Sequence, residues 1–308
     1  MSRALSARGA WRQYIAVSPY FILFLAFGLA PVIFSIYISF HHWDGIGTMK
    51  FVGWAQYRYL FTDPAFWHSI GVTLIIWVLN TVPMLVLALI LAFALHSTVR
   101  FKGFYRVAYF VPNITSMVAM AIVFGSLFAT QAGLLNSFLQ WLHQAGIPWL
   151  TDPAWIKVSI ATMITWRWVG YNAIIYLAGL QAIPNDVYEA AKVDGASTVQ
   201  TFLRVTVPML RPVILFTVIT STIGGLQTFT EPQVLLGDTG GPANAGQTIV
   251  LYLYNQAFVN NQFGYGAAVG WALFLLILVF SVINWRLLSG GGDPTGSRRR
   301  VGRRLRRG

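Results

Sequence analysis

The chain has 308 residues, of which 56% are hydrophobic and only 10% are charged, and its mean hydropathy is +0.62. Soluble domains carry about 25% charged residues, so this composition excludes an ordinary water-soluble protein. The formal net charge of +12 would suggest nucleic-acid binding in a soluble protein, but the placement of the charges points elsewhere. The sequence contains no cysteine, which excludes a disulfide framework and a thiolate metal site.

Six mostly apolar windows are each long enough to cross a bilayer, which takes about 20 residues. They cover roughly residues 16–40, 69–96, 106–130, 158–181, 212–232 and 265–288. Arg167 lies in the fourth window and Glu231 near the end of the fifth, whereas the apolar cores of the other four carry no charge. This pattern predicts an all-α integral membrane protein with six transmembrane helices. The first window is interpreted as a retained anchor, because it is too long for a signal peptide.

The placement of Lys and Arg predicts that both termini are cytoplasmic. Most of the 21 basic residues then lie on the cytoplasmic side, whereas Lys50, Arg58 and Lys157 fall in outer loops. The predicted parts of the chain are a cytoplasmic arm (1–15), a six-span domain (16–288) and a basic tail (289–308). The Arg-rich tail is expected to lie near anionic membrane lipid, so its charge gives no reason to expect a nucleic-acid partner.

The cytoplasmic loop 182–211 is long, and its sequence predicts two helices joined by a tight corner. Asp186 is placed to cap the first helix, and Gly195 stands where a left-handed residue ends a helix. A Ser197–Gln200 capping box begins the second helix, which is expected to stop before Pro208. From the residues alone, exposed alanines at such a corner fit either a docking surface for another protein or an interfacial hairpin without a partner.

A motif in this loop resembles a known family. Glu189-Ala190-Ala191, then Gly195, then Val205-Thr206-Val207-Pro208 are similar, at this spacing, to the EAA motif of permease subunits in binding-protein-dependent ABC importers. Residues 181–188 and 193–196 resemble the carbohydrate branch of that family, and the likeness covers nearly the whole chain. Val207 departs from the leucine that usually precedes the proline. The resemblance implies a type I ABC importer permease with six spans.

The resemblance implies partner proteins and no cofactor bound by this chain. The partners would be a second similar permease, two copies of an ATPase that binds ATP and Mg²⁺, and an extracytoplasmic sugar-binding protein. Glu189 would pair with a basic group of the ATPase or complete its own helix cap. The residues that would contact the ATPase are Tyr188, Glu189, Ala190, Ala191, Asp194 and Gly195. The chain carries no P-loop of its own, because none of its four lysines follows a glycine.

The spans also contain a candidate sugar path. Sugars are recognised by flat aromatic faces together with amide or hydroxyl groups, and the fourth and fifth windows offer both. The positions that correspond to the sugar contacts of the family's maltose-importer permease are Asn113, Met117, Arg167, Trp168, Tyr171, Ser221, Gly224, Gly225 and Gln227. The expected substrate is a di- or oligosaccharide. Glycerol-3-phosphate is the alternative if Arg167 faces the path.

Other classes of protein fit the sequence less well. An ion-coupled secondary transporter would show midplane carboxylates and inverted repeats, and Glu231 is the one candidate carboxylate in a span. An enzyme would need paired carboxylates or metal ligands, and His41 and His42 would point to opposite sides of an extended segment. The outer segment Leu235–Gln262 fits a flexible connection or, by resemblance, a surface for the sugar-binding protein.

Overall fold

The computed structural model describes residues 4–96 and 102–289. The predicted basic tail, 289–308, lies outside the described residues except for Ser289, and so do the first three residues of the predicted arm. The helices are α1 (Ala4–Leu23), α2 (Ala30–Ser39), α3 (Ala55–Thr62), α4 (Pro64–His96), α5 (Lys102–Ile114), α6 (Met117–Leu127), α7 (Leu134–Trp141), α8 (Pro153–Gln181), α9 (Asn185–Val193), α10 (Thr198–Thr201), α11 (Val207–Met209), α12 (Arg211–Leu226), α13 (Thr230–Leu236), α14 (Ile249–Tyr254) and α15 (Phe263–Ser289).

A few other elements interrupt this mostly helical chain. Two short antiparallel strands of two residues each, β1 (His41–His42) and β2 (Lys50–Phe51), are small additions to the predicted all-α fold. Three segments are π-helices, whose turns are wider than those of an α-helix: Phe24–Leu29, Phe202–Thr206 and Asn255–Val259. One segment, Pro242–Asn244, is a tighter 3-10 turn.

Three stretches of the described chain are helices long and apolar enough to cross a membrane. They are Tyr14–Ser39, Pro64–His96 and Phe263–Leu287, which match the first, second and sixth predicted windows. The fourth window lies in α8, which at 29 residues is about 43 Å long but carries Lys157 and Arg167. Two bent helix pairs would bring the count from three to five. Six straight spans therefore stay a prediction.

The third predicted window, 106–130, is not one straight helix. Its two parts, α5 and α6, meet at an angle of 95° across Thr115 and Ser116. At this break the Thr115 N–H pairs with the carbonyl of Pro112, and the Thr115 hydroxyl donates a 2.8 Å hydrogen bond to the carbonyl of Val111. Hydroxyl side chains of this kind allow a helix to be broken inside a membrane.

The fifth predicted window, 212–232, is also interrupted. α12 ends at Leu226, and Gln227–Phe229 form a break before α13. At the other end of α12, the helical stretch Thr198–Met209 meets it at 71°. Glu231 therefore belongs to the first turn of a separate short helix and not to the end of a span, as the sequence had suggested.

The backbone divides into two compact units, Met1–Phe66 with Leu253–Ala272, and Trp67–Tyr252 with Leu273–Gly308. In the first unit, the helical stretch Tyr14–Ser39 is apolar on all sides, and only 6% of its most apolar window is buried. Phe27, for example, is 80% exposed. A helix that is apolar all round suits a lipid environment, as expected for the first predicted window.

Elsewhere in the first unit, polar contacts tie the two chain segments together. The Tyr265 hydroxyl donates to Asp63 Oδ2 at 2.7 Å, and Trp271 Nε1 donates to Ser35 Oγ at 3.3 Å. In β1, His41 is buried and His42 is exposed, so the two rings point apart as predicted.

One hydrophobic core cluster of the second unit is built mainly from small and branched side chains of α4, α8 and the loop 182–211. Its buried members are Ala88, Ala92, Leu95, Ala173, Tyr176, Leu177, Leu180, Ile183 and Leu210. The alanines allow close helix contact, which is how helices associate in membranes. Across α8 and α12, the Thr217 hydroxyl donates to the Tyr176 hydroxyl at 2.7 Å.

Gly170 lets α5 approach α8 closely. A Cβ atom at this position would overlap the backbone carbonyl of Tyr109. We expect Gly170→Ala to lower the free energy of unfolding by about 1–3 kcal/mol, because backbone must move to relieve the overlap. Thermal unfolding of the purified protein in detergent measures the effect.

Gly125→Ala, in α6, is the matched control. Nothing lies within 4 Å of a Cβ added there, so this variant should be neutral or slightly stabilised. Equal unfolding temperatures for Gly170→Ala and wild type would contradict the proposed packing.

Candidate functional site

A cavity of about 470 Å³ lies in the second unit among α4, α6, α8, α12 and the break that follows α12. Its lining residues are Asn80, Met84, Met117, Ile164, Arg167, Trp168, Tyr171, Asn172, Phe216, Thr220, Ser221, Gly224, Gly225, Gln227, Thr228, Phe229, Thr230 and Glu231. The lining combines aromatic rings, amides, hydroxyls and one pair of opposite charges, so the cavity is able to hold a molecule with both apolar faces and polar groups.

The structure brings eight of the nine predicted path residues to this cavity. The exception is Asn113, which is half-buried in α5 and is not part of the lining. Its side-chain nitrogen is buried without a hydrogen-bond partner among the described residues. Proximity to a cavity does not by itself make the other eight sugar contacts, and that role stays a prediction.

One wall of the cavity is aromatic because of helical periodicity. Trp168 and Tyr171 lie three residues apart on α8, and their rings meet edge to face with centroids 5.6 Å apart. Tyr171 is 40% exposed. The neighbouring Trp166 instead contacts Phe124 and is not part of the lining. The same periodicity explains the difference, since residue 166 faces another side of the helix.

The opposite charges come from α8 and α13. Arg167 Nη1 lies 3.8 Å from Glu231 Oε1, and the two side chains are 18% and 10% exposed. The guanidinium also contacts the sulfur of Met117 and lies 5.7 Å from the centre of the Trp168 ring. Arg167 Nε is buried and has no hydrogen-bond partner among the described residues.

The break after α12 places Glu231 in the cavity and is held by threonine side chains. The Thr228 hydroxyl donates to the carbonyl of Gly225 at 2.9 Å. The Thr228 carbonyl in turn accepts a 2.6 Å hydrogen bond from the Thr248 hydroxyl. The sequence did not reveal this break, because Gln227–Phe229 contains neither glycine nor proline.

The apolar part of the lining was also missed. Phe216 and Phe229 look like ordinary membrane-span residues, so nothing in their type marks them as cavity residues. The signal that could have found Phe216 is spacing, because Phe216, Thr220 and Gly224 recur every four residues on one face of α12.

The two glycines of α12 serve different purposes. Gly224 has nothing within 4 Å of the place where a Cβ would stand, so it opens onto free space. A Cβ on Gly225 would lie 2.6 Å from Cδ1 of Trp77, so this glycine is needed for contact between α12 and α4. The helix continues through both residues to Leu226, so neither glycine ends it.

The predicted coupling loop has the expected corner. Gly195 has φ of +74°, the left-handed conformation predicted for it. Ser197 N–H donates to Gln200 Oε1 at 2.8 Å, and Gln200 N–H donates to Ser197 Oγ at 3.3 Å, which confirms the capping box.

Two helix boundaries in this loop differ from prediction. α9 begins at Asn185, so Asp186 lies inside its first turn and does not cap it. The second helix does not stop before Pro208 but continues to Met209, because a π-helical turn precedes the proline. This wider turn gives room where the proline ring would otherwise crowd the carbonyl of Arg204.

The predicted ATPase-contacting residues do not all face outward. Glu189, Ala190, Asp194 and Gly195 are exposed, but Ala191 is only 9% exposed and belongs to the inner face of α9. The expectation of exposed alanines is therefore wrong for Ala191. Tyr188 is half-buried against the core of the second unit, with its ring 5.7 Å from that of His96.

The outer segment Leu235–Gln262 is folded and not simply a flexible connection. It contains α14 and buries Ala245, Gln247 and Thr248. The Ile249 N–H donates to Thr73 Oγ1 at 2.8 Å, which fixes the start of α14 to α4.

The chain belongs to the family of inner membrane components of binding-protein-dependent transport systems, which matches residues 62–287. It is therefore a multi-pass membrane protein of a transport system. It is 40% identical over 292 residues to the lactose transport system permease protein LacF of Rhizobium radiobacter, covering 92% of this chain and 97% of that protein. It is 36% identical over 276 residues to the arabinooligosaccharides transport system permease protein AraP of Bacillus subtilis, covering 89% and 87%.

A solved structure shares the fold. A chain in the crystal structure of a bacterial alginate ABC transporter, in complex with an alginate pentasaccharide-bound periplasmic protein, superposes with a TM-score of 0.81. The two chains are 22% identical, and the match covers 95% of this chain and all of that one. At this identity the likeness establishes the fold.

The two glycines of α12 offer a matched test of the cavity wall. Gly225→Ala should lower the free energy of unfolding by about 1–3 kcal/mol, because its Cβ collides with Trp77. Gly224→Ala should be neutral or stabilising by less than about 1 kcal/mol, because its methyl group points into open space. Thermal unfolding of both purified variants provides the comparison, and the reverse order of stability would show that the assigned faces of α12 are incorrect.

Proposed function

We propose that this chain is the permease subunit of an ATP-binding-cassette importer and that it translocates a di- or oligosaccharide. The observation that carries the proposal is the cavity, which joins the aromatic pair Trp168–Tyr171 to the polar side chains of Ser221 and Gln227. The relatives named for lactose and arabinooligosaccharide transport support a sugar as substrate.

The size and chemistry of the cavity suit a sugar of this kind. Sites for small molecules commonly measure about 300–1,000 Å³, and this cavity falls within that range. The Tyr171 and Trp168 rings offer flat apolar surfaces for a pyranose. Gln227 and Asn80 carry amides, which donate and accept hydrogen bonds as sugar hydroxyls require.

The charge balance disfavours glycerol-3-phosphate. Arg167 does face the cavity, which was the condition for that alternative. However, Glu231 lies beside it and neutralises its charge. A phosphate group is normally bound by an unopposed cation, so an anionic substrate fits this cavity less well than a neutral sugar. An ion-coupled mechanism is disfavoured for a related reason, since the cavity carboxylate is already paired.

The proposed arrangement in the membrane has six spans with both termini in the cytoplasm. It consists of the arm 1–15, the permease domain 16–288 with the coupling loop 182–211, and the basic tail 289–308 on anionic lipid. The bent pair α5–α6 would then contribute one crossing, α8 another, and α12 with α13 a further one. The excess of Lys and Arg near the ends assigned to the cytoplasm supports this orientation.

The proposed complex contains a second similar permease, two ATPase subunits that carry ATP and Mg²⁺, and an extracytoplasmic sugar-binding protein. Membership of a binding-protein-dependent family supports the last of these. The folded outer segment Leu235–Gln262 is the proposed surface for it, because an ordered segment can present a fixed shape to a partner.

The coupling surface is proposed to consist of Glu189, Ala190, Asp194 and Gly195, which are exposed together around the corner after α9. Tyr188 and Ala191 would pack on the inner side of α9 and support this surface instead of contacting the ATPase. Glu189 is proposed to meet a basic group of the ATPase. Its alternative role as a capping-box residue does not fit, because the cap position is Pro184, which has no N–H to bind.

Loss of either sugar-facing side chain should impair uptake. Tyr171→Ala and Gln227→Ala are each expected to reduce uptake roughly tenfold, as for the loss of about 1.4 kcal/mol of binding. The measurement uses proteoliposomes with the assembled importer, saturating binding protein, and a labelled panel that includes lactose and arabinooligosaccharides.

Tyr20→Ala serves as the control, because Tyr20 is a 67% exposed ring on the apolar surface of α1. All three variants should assemble with the partner subunits in normal amounts. Full uptake by both Tyr171→Ala and Gln227→Ala would rule out the proposed path.

Changes on the coupling surface should separate ATP hydrolysis from transport. Glu189→Lys reverses a charge, and Gly195→Asp places a charged side chain in a left-handed position on the contact surface. Both should reduce sugar uptake at least tenfold while the complex keeps basal ATPase activity. Parallel assays of uptake and phosphate release on the same vesicles measure this.

Glu189→Gln is the matched control, because it keeps the length of the side chain and removes only its charge. It should lose less uptake than Glu189→Lys. Normal stimulation of ATPase activity by the loaded binding protein in Glu189→Lys would argue against the coupling role.

A further inference from the structure

The pair Arg167–Glu231 occupies an unusual position. It lies in the wall of the cavity, and its members are the charged side chains among the described residues that line it. Arg167 comes from α8, whereas Glu231 comes from the first turn after the break. The neutral lining around them includes Trp168, Gln227 and Thr230.

The geometry of the pair leaves hydrogen-bonding capacity unused. The 3.8 Å between Arg167 Nη1 and Glu231 Oε1 is longer than the roughly 2.7–2.9 Å of a charge-assisted hydrogen bond. The two groups are thus close enough to cancel each other's charge without consuming each other's donors and acceptors. Arg167 lines the cavity and its side chain is 18% exposed, so part of the guanidinium faces the space that a ligand would occupy.

We infer that Glu231 sets the charge preference of the cavity, so that it accepts neutral sugars and rejects acidic ones such as uronates or sugar phosphates. This inference rests on the proposed function, since it concerns the substrate of the same cavity. A sugar hydroxyl can accept a hydrogen bond from Arg167 and donate one to Glu231, because a hydroxyl does both. The pair therefore recognises a neutral hydroxyl from both sides.

An anion gains little from the same pair. It is attracted by Arg167 and repelled by Glu231 over similar distances, so the two Coulomb interactions largely cancel. The cost of removing the anion from water is then not compensated. Without Glu231 the guanidinium would be unopposed, and the preference should shift to anions.

Two opposite substitutions test the inference. Glu231→Gln removes the negative charge, and Arg167→Gln removes the positive one. The purified complex of the permease with its partner subunits is placed in nanodiscs without the sugar-binding protein, which would impose its own selection. The probes are glucuronate, methyl glucoside and glucosamine, which carry a negative, no and a positive charge, and binding is followed by tryptophan fluorescence, since Trp168 lines the cavity.

We expect Glu231→Gln to bind glucuronate at least tenfold more tightly than wild type does, and to prefer it to methyl glucoside. Arg167→Gln should instead gain affinity for glucosamine and lose any for glucuronate. The double variant Arg167→Gln/Glu231→Gln should show neither the gain in affinity for glucuronate nor the gain for glucosamine, while remaining folded. This result distinguishes an effect of charge from damage to the fold. If one of the two single variants does not assemble, the change in ligand preference expected for the other variant still tests the inference.

Affinities for glucuronate and glucosamine within twofold of wild type in the single variants would overturn the inference. So would a gain for glucuronate that persists in the double variant, because it could not then arise from Arg167. Failure of the proposed function looks different. In that case the wild-type importer would move no sugar at all, whereas the opposite charge responses of the two variants would persist.

Discussion

The structure around the cavity depends on one constraint, which is that backbone polar groups inside a membrane must find partners within the protein. A continuous helix meets this constraint but offers a substrate only side chains. Here two helices are broken beside the cavity, at Thr115–Ser116 and at Gln227–Phe229. At both breaks a threonine hydroxyl donates to the carbonyl three or four residues earlier. These contacts make irregular backbone tolerable next to the cavity.

The same principle extends to the outer segment. Thr248 donates to the Thr228 carbonyl within the second break, and Thr73 accepts from the Ile249 N–H. The break and the start of α14 are therefore held by a shared set of buried hydroxyls. A displacement of α14 would disturb the hydrogen bonds of Gln227–Phe229 and hence the wall of the cavity. This gives a physical route by which an event at the outer segment could change the site.

On the opposite side of the cavity, the coupling loop is joined to the same helices by packing. Ile183 and Leu210, which lie at the two ends of the loop, share one buried cluster with Ala88 of α4 and Leu180 of α8. Closely packed interiors transmit displacement because they have little free volume. Under the proposed function, a partner that moves α9 would therefore move the C-terminal ends of α4 and α8. These two helices also carry part of the cavity lining.

Composition was sufficient to predict a helical membrane protein, and local rules were sufficient for parts of the coupling loop. The capping box at Ser197–Gln200 and the left-handed Gly195 follow from side-chain chemistry within a few residues. Resemblance supplied eight of the cavity residues, and the ninth predicted path residue, Asn113 of α5, is not part of the lining.

The features that were not predicted depend on tertiary contacts. The break at Gln227–Phe229 depends on Thr248, about 20 residues away, so no local pattern marks it. The burial of Ala191 depends on which face of α9 packs against the protein. The order of the segment Leu235–Gln262 likewise comes from contacts with α4, which its glycine-rich sequence does not reveal.

The break has a further consequence for the choice of substrate. The fold is shared with a chain of an alginate transporter, and alginate is an acidic polysaccharide, whereas the relatives LacF and AraP are named for neutral sugars. The fold therefore does not determine whether the transported sugar is charged or neutral. That preference must come from side chains in the cavity. Because the second break brings Glu231 beside Arg167, irregular backbone and a neutral cavity arise together. A straight helix through residues 212–232 would have no irregular backbone at the cavity and would not place Glu231 beside Arg167. The charge preference therefore depends on the break as much as on the two side chains.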